Sequence, residues 1–254
     1  MTQAKSDNTR SDTPVALVTG AAKRIGAQIC QTLHAAGFNI VLHYHQSQQS
    51  ALALAKELNN RRPQSCIAHQ ADLTSRLELN ALAQTASIHW QRLDLLVNNA
   101  SRFYATPLTQ ANEQVWDELL GSNLQGAFFL SQQLASTLAA QQGSIVNIVD
   151  IYAQAPLKNY SIYCIAKAGL LAMTRSLALE LAPQVRVNAV APGAILWPEQ
   201  ANNESAELQK KIIERTALAR AGSPIDIAST VLFLAQSPFI TGQILSVDGG
   251  RLTC

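Results

Sequence analysis

Val15-Ala-Leu-Val-Thr19-Gly20-Ala-Ala-Lys23-Arg24-Ile25-Gly26 is the stretch whose reading decides the fold. Val15 to Val18 form a short apolar run ending at a glycine, the pattern of a strand buried on both faces. Residues 24–36 then carry Ile25, Ile29 and Leu33 at helical spacing, and Gly37 supplies a stop. A strand, a tight glycine turn and a helix N-terminus bring several backbone N–H groups to one point, a physical recipe for holding a pyrophosphate. The same stretch also fits an ordinary strand-to-helix turn, so its weight depends on the rest of the chain.

Beyond Gly37 the alternation repeats. Apolar runs at 39–44, 65–70, 93–97, 144–149, 185–190 and 243–247 read as strands. Helical patterns occupy 49–60, 74–90, 112–140 (broken near Gly121), 161–182, 206–215 and 224–235. Seven strands alternating with helices predict an α/β protein, a Rossmann-like doubly wound parallel sheet covered on both faces. No linker divides the chain, which predicts a flexible tail at 1–13 and a single nucleotide-binding domain at 14–254. In such a fold ligands bind at the carboxyl ends of the strands, where Gly20, Asn98, Asp150 and Pro192 fall.

Composition narrows the function. Over 254 residues, 48 % are apolar and 14 % charged, which supports a large core and excludes disorder. A net charge of +2 gives no electrostatic case for nucleic acid or an anionic membrane. The polar N-terminus lacks the apolar core of a signal peptide, so a cytoplasmic protein is expected. Cys30, Cys66, Cys164 and Cys254 share no C-x-x-C spacing, and the five histidines no metal-ligand spacing. Plain reduced thiols and no metal are expected.

The choice of nucleotide is read from what is missing. An acid about 20 residues beyond the glycine turn would hold a ribose 2′-hydroxyl. Here no Asp or Glu occurs between Gly26 and Glu57, and the second strand ends in His43-Tyr44-His45-Gln46-Ser47. The missing carboxylate, with Lys23, Arg24, His43, His45 and Ser47 nearby, predicts NADP(H). Asp72, followed by Leu73, either takes the adenine amino group or belongs to the N-cap region of the next helix. Asn98-Asn99-Ala100 is expected to lie along the cofactor.

Tyr163 and Lys167 are four apart in a helical segment, so both project from one face, one turn apart. A free phenol titrates near ~10. A neighbouring ammonium lowers that value, which makes Tyr163 a proton donor beside its own activator. Asp150 stands thirteen residues before Tyr163, at the end of an apolar strand. An ionised carboxylate there cannot donate a hydrogen bond to a developing alkoxide, so the substrate should bring a donor or a ring nitrogen that takes up a proton.

These motifs, in this order, resemble the short-chain dehydrogenase/reductase family. The matching residues are the Thr-Gly-x-x-x-x-Ile-Gly loop, Asn98-Asn99-Ala100, Asn123, Tyr163-x-x-x-Lys167, Pro192-Gly193 and Asp248-Gly249-Gly250, covering about 15–250. Two departures from the common pattern, Arg24 for the middle glycine and Asp150 for a serine, resemble the pteridine reductase subgroup. Thr19-Gly-Ala-Ala-Lys-Arg24, His43-Tyr-His45 and Asn98-Asn-Ala-Ser-x-Phe-Tyr104 match that subgroup too, whereas Gln46 stands where it would carry a basic residue.

The resemblance implies that Tyr163, supported by Asp150, protonates a ring nitrogen while NADPH delivers hydride to the adjacent carbon. It implies that Lys167 binds the nicotinamide ribose, that Asn123 holds a water leading from Lys167 to solvent, and that Pro192-Gly193 flanks the cofactor. Phe103 stacks on the pterin, or else packs under its loop. Ser101 reaches a phosphate or the pterin amine, and Arg24 a phosphate or the pterin oxygen. Trp197 is a specificity wall or an exposed lid aromatic. The implied activity is reduction of biopterin or dihydrobiopterin to the tetrahydro form, extending to dihydrofolate, by a homotetramer packed through 112–140 and the helix from Ser161. Carbonyl reduction of the oxoacyl or sugar type is the alternative chemistry. A non-catalytic NADP(H)-binding regulator is the alternative class.

Overall fold

The computed structural model describes residues 12–195 and 206–253. Its elements follow the expected alternation: β1 (Val15–Val18), α1 (Arg24–Ala35), β2 (Asn39–Tyr44), α2 (Gln48–Arg61), β3 (Cys66–Gln70), α3 (Arg76–Ile88) and β4 (Leu95–Asn98). Then come α4 (Glu113–Leu120), α5 (Gly126–Ala139), β5 (Ser144–Ile148), α6 (Ser161–Glu180), β6 (Arg186–Pro192), α7 (Ala206–Glu214), α8 (Pro224–Gln236) and β7 (Ile244–Val247). All seven strands are parallel, in the order β3-β2-β1-β4-β5-β6-β7. The direction of winding reverses between β1 and β4, so the loops leaving these two strands frame a crevice.

Two apolar cores lie on the two faces. One joins the sheet to α3, α5 and α6 through Leu79, Leu82, Leu130, Leu134, Leu170 and Met173. The other joins it to α1, α2 and α8 through Ile29, Leu33, Leu54, Leu58, Ile227 and Val231. With both faces covered, β1, β2 and β4 are buried along their whole length, which explains why they read as unbroken apolar runs. By length and composition α6 could cross a membrane, but more than half of its most apolar window is buried inside this fold.

The structure corrects several boundaries. Strand pairing of β4 starts at Leu95, opposite Ala16, although Leu93 is already buried. Strand β6 runs on to Pro192 because β7 offers it a partner in Val247. Helix α3 starts at Arg76, where Ser75 caps it by accepting a hydrogen bond from the Glu78 N–H. The 112–140 region is not broken at Gly121 but continues through one π turn, Gly121–Gln125. The turn lies against the loop after β3: a Cβ on Gly126 would stand 2.9 Å from Leu73 Cβ, and one on Gly121 3.0 Å from Thr74 Cγ2. Such single wide turns inside helices often mark functional sites.

A buried polar chain ties the sheet to its helices below this crevice. Asn98 Nδ2 donates to Ser131 Oγ on α5 at 3.2 Å and to Asn147 Oδ1 on β5 at 2.8 Å. Asn147 Nδ2 in turn donates to Thr174 Oγ1 on α6 at 2.9 Å. Each orphaned buried polar group costs about 1–3 kcal/mol. Asn147→Ala removes partners of both Asn98 and Thr174 and should lower the unfolding free energy by at least about 2 kcal/mol, measured by urea denaturation.

Candidate active site

The crevice begins where the turns after β1 and β4 touch. Gly20 has φ +60°, and a Cβ on it would lie 2.8 Å from Ala100 Cα. A Cβ on Gly26 would lie 2.3 Å from Gly20 O and 2.7 Å from Asn99 Nδ2. Thr19 Oγ1 accepts from the Asn99 and Ala100 N–H groups at 2.9 and 3.0 Å, and Asn99 Nδ2 donates to Thr19 O and Gly20 O. Side chains are thus cleared from the start of α1, and the bare backbone is held rigid. That cradle fits a dinucleotide pyrophosphate at a helix N-terminus. Asn98 serves differently from the expectation, since its side chain lies beneath the crevice in the polar chain described above.

Lys23 and Arg24 are exposed on this turn, beside half-buried Ile25. Arg24 has φ 55°, a left-handed conformation that non-glycine residues seldom adopt. His43 corrects the sequence reading. It is buried rather than facing a 2′-phosphate: its Nδ1 accepts from the Gly20 N–H at 3.0 Å, and its Nε2 donates to Ala71 O at 2.9 Å. Burial pushes its pKa from 6.5 to about 4, so it is a neutral brace for the glycine turn, not a cation. Tyr44 is likewise a core residue. His45 and Ser47 are only half-buried, and His45 Nε2 lies 3.6 Å from Asp72 Oδ2. The other Asp72 oxygen accepts from the Thr74 N–H and Oγ1, so Asp72 does shape the entry to α3, as one of its two readings had it. Leu73 packs against Gly126.

At the carboxyl end of β5 the reacting groups meet. Tyr163 donates its hydroxyl to Asp150 Oδ2 at 2.7 Å, and Asp150 Oδ1 accepts from the Tyr152 N–H at 2.9 Å. Lys167 is almost wholly buried one turn beyond Tyr163, and its Nζ donates to Ile148 O at 2.9 Å. Burial pushes Lys167 down to about 8, with the Asp150 charge opposing. Burial raises Asp150 above the usual carboxylate range, against its hydrogen bonds from Tyr152 and Tyr163 and the charges of Lys167 and Arg251.

Tyr163 is the second correction. Burial and then the Asp150 charge drive its pKa well above 10, so the expected lowering by Lys167 does not prevail. The ammonium lies 5.7 Å from the tyrosine ring centre. Tyr163 is therefore a neutral phenol, which suits a proton donor.

Asn123, in the π turn, has its side chain fully used. Nδ2 donates to Leu119 O and Arg102 O, while Oδ1 accepts from Ser101 Oγ at 2.6 Å and the Arg102 N–H at 3.2 Å. That side chain positions the loop bearing Ser101 and Phe103. Phe103 stacks on Tyr160 at 4.6 Å and meets Tyr163 edge-on at 4.8 Å, yet remains 40 % exposed. Pro192 ends β6, and Gly193 lets the chain press on Asp248, whose Cα a Cβ on Gly193 would approach to 2.6 Å. Trp197 lies outside the described residues.

Sequence reasoning missed Tyr152, Tyr160 and Arg251. Tyr160, three residues before Tyr163 and just ahead of α6, had a helical-spacing signal. Arg251 had none, because it reaches Tyr152 across 99 residues.

Fold and site together fit a dinucleotide-dependent oxidoreductase. The family model described as "Enoyl-(Acyl carrier protein) reductase" matches residues 20–251. The chain belongs to the short-chain dehydrogenase/reductase family, whose reductases use NAD(P)H. It is 39 % identical to pteridine reductase 1 of Leishmania tarentolae, over 93 % of this chain and 96 % of that one. It is 38 % identical to the granaticin polyketide synthase putative ketoacyl reductase 2 of Streptomyces violaceoruber, over 94 % and 96 %. It is 35 % identical to the 3-oxoacyl-acyl-carrier-protein reductase FabG of Staphylococcus aureus, over 94 % and 98 %.

The His43 brace is testable. His43→Phe leaves the part-buried Gly20 N–H without its partner and should cost about 1–3 kcal/mol while weakening dinucleotide binding, read by denaturation and fluorescence titration. Because the folded-state pKa near 4 lies below the free value of 6.5, the contribution of neutral His43 is whole above pH 6.5 and is lost as pH falls through 4. The variant should show a shallower loss of stability across that window.

Proposed function

We propose that this protein is an NADPH-dependent pteridine reductase that takes biopterin or dihydrobiopterin to the tetrahydro form and also accepts dihydrofolate. The observation that carries the reading is the hydrogen bond from Tyr163 to Asp150 Oδ2 at 2.7 Å. A ketone reductase needs donors around the oxygen that becomes an alkoxide. Here the tyrosine's partner is an acceptor, and that suits a C=N bond whose nitrogen takes a proton and whose amino substituent donates.

NADPH, when bound, supplies hydride to a ring carbon. The residues suited to hold it are Gly20 to Gly26, Asn99 and Ala100 along the pyrophosphate, and Lys23, Arg24, His45 and Ser47 near the 2′-phosphate. Lys167 has donors left beyond its bond to Ile148 O for a ribose hydroxyl. Tyr163 holds the transferable proton on its hydroxyl and gives it to the ring nitrogen adjacent to the reduced carbon. Asp150 accepts a hydrogen bond from the Tyr163 hydroxyl and fixes its orientation, and the tyrosinate left behind regains its proton from solvent. Ser101, whose hydroxyl donates to Asn123 Oδ1, stands beside this pair.

Two further features support a flat heterocyclic substrate. The part-exposed Phe103 ring, fixed by Tyr160 and Tyr163, offers a stacking surface. Arg24 keeps a strained backbone where glycine would be easier, and such strain persists where a side chain is used. The 3-oxoacyl reading keeps one supporting observation: if burial leaves Asp150 protonated, it becomes a donor and could serve a carbonyl oxygen. The pairing of Tyr163 with Asp150, beside the buried Lys167, weighs against a regulator without activity. Ile165, Ala168 and Ala172 on α6, with Phe128 on α5, remain exposed and would suit the homotetramer.

Parallel assays of NADPH oxidation with biopterin, dihydrobiopterin, dihydrofolate and an acetoacetyl thioester decide between the chemistries. Turnover of the pterins is expected, and turnover of the thioester alone sinks the proposal. Asp150→Ser should reduce pterin turnover by about 100-fold or more. NADPH should bind at least about tenfold tighter than NADH, a difference of about 1.4 kcal/mol; equal dissociation constants would refute the NADP(H) assignment.

A further inference from the structure

Arg251 lies in a short 3-10 turn, Arg251–Thr253, close to the end of the chain. The turn is anchored on both sides. Asp248 Oδ1 accepts from the Gly250 N–H at 2.9 Å, and its Oδ2 accepts from the Leu252 N–H at 2.8 Å. Asp248 itself is backed by Gly193 at the end of β6, where no side chain would fit. Leu252 and Tyr152 pack against the same core. The Asp-Gly-Gly motif thereby carries Arg251 to the mouth of the active site. Arg251 Nη2 donates to Tyr152 Oη at 3.1 Å, and the guanidinium lies 5.6 Å from the Tyr152 ring centre. The Tyr152 backbone N–H is the group that holds Asp150 Oδ1.

We propose that Arg251 is a positioning residue for Asp150, fixing it through Tyr152 and favouring its ionised form, so that the C-terminal turn governs the reacting carboxylate. The inference rests on the reading of Asp150 as a member of the reacting pair. The groups facing Asp150 are Tyr163, Cys164 and Lys167 from α6, Tyr152 from the turn after β5, and Arg251 from the C-terminal turn. Only Lys167 and Arg251 are cations. Lys167 is itself drawn toward its neutral form by burial, whereas a guanidinium stays charged throughout the working pH range. Arg251 is thus the permanent counter-charge, and Tyr152 is the strut that links it to Asp150.

The test is the titration of Asp150 in the full chain, followed by carbon NMR of carboxyl-labelled aspartate and assigned with Asp150→Asn. Removing a nearby cation raises a carboxyl pKa. Arg251→Met should move the Asp150 midpoint upward by about half a unit or more, with the acid limb of the rate profile moving alongside. Arg251→Lys, which keeps the charge, should restore most of the shift. Tyr152→Phe, which keeps the ring and loses only the hydroxyl, should give a smaller upward shift. Superimposable midpoints for wild type and Arg251→Met overturn the proposal. If Arg251→Met does not fold, an unmoved midpoint in Tyr152→Phe overturns it instead. The titration needs no substrate, so the two ideas fail separately. A shifted midpoint without pterin turnover sinks only the pterin reading, and pterin turnover with unmoved midpoints sinks only the role of Arg251.

Discussion

The contact between the turns after β1 and β4 is the constraint on which the rest depends. Parallel strands wound outward in both directions leave one crevice, and its walls are these two turns. They meet with no space for a Cβ on Gly20 or Gly26, and Asn99 and Thr19 stitch them together. A buried neutral histidine braces the glycine turn from behind. The result is a rigid edge of backbone at the start of α1, cleared of side chains at Gly20 and Gly26. Rigidity there has a direct energetic use, since a preformed cradle leaves less ordering to be done when a dinucleotide binds.

Beside that edge the protein buries three ionisable groups within one hydrogen-bonded cluster. Burial pushes Asp150 and Tyr163 up and Lys167 down, so each is drawn toward its neutral form. Each of these groups is costly to ionise in a poorly solvated place, so the neutral phenol is the form that holds a transferable proton near neutral pH. Tyr163 stands as a neutral phenol hydrogen-bonded to Asp150 rather than as a phenolate prepared by lysine. Burial and the Asp150 charge account for that difference.

The loops around this cluster are positioned by side chains rather than by regular structure. Asn123 reaches from a π turn to hold Ser101 and Arg102, which sets the place of Phe103. Tyr160 and Tyr163 then fix the Phe103 ring. The C-terminal turn, locked by Asp248, brings Arg251 to Tyr152. The groups around this cluster are thus brought together by contacts between segments far apart in the chain.

By itself the sequence determined the frame: the alternation of apolar runs and helical stripes, the glycine turn, the i, i+4 pairing of Tyr163 with Lys167, and the strand-end place of Asp150. These are local, because period, turn chemistry and helix spacing depend only on near neighbours. Only the tertiary structure decided which of the named groups face the crevice. His43 and Asn98 lie at or near the ends of largely apolar strands, and nothing local shows that one braces a turn and the other joins a buried chain. Nor could spacing reveal that burial outweighs the lysine at Tyr163, or that Arg251 stands near Asp150. Desolvation and long-range charge are set by what the whole fold packs around a group, and a linear pattern does not carry that information.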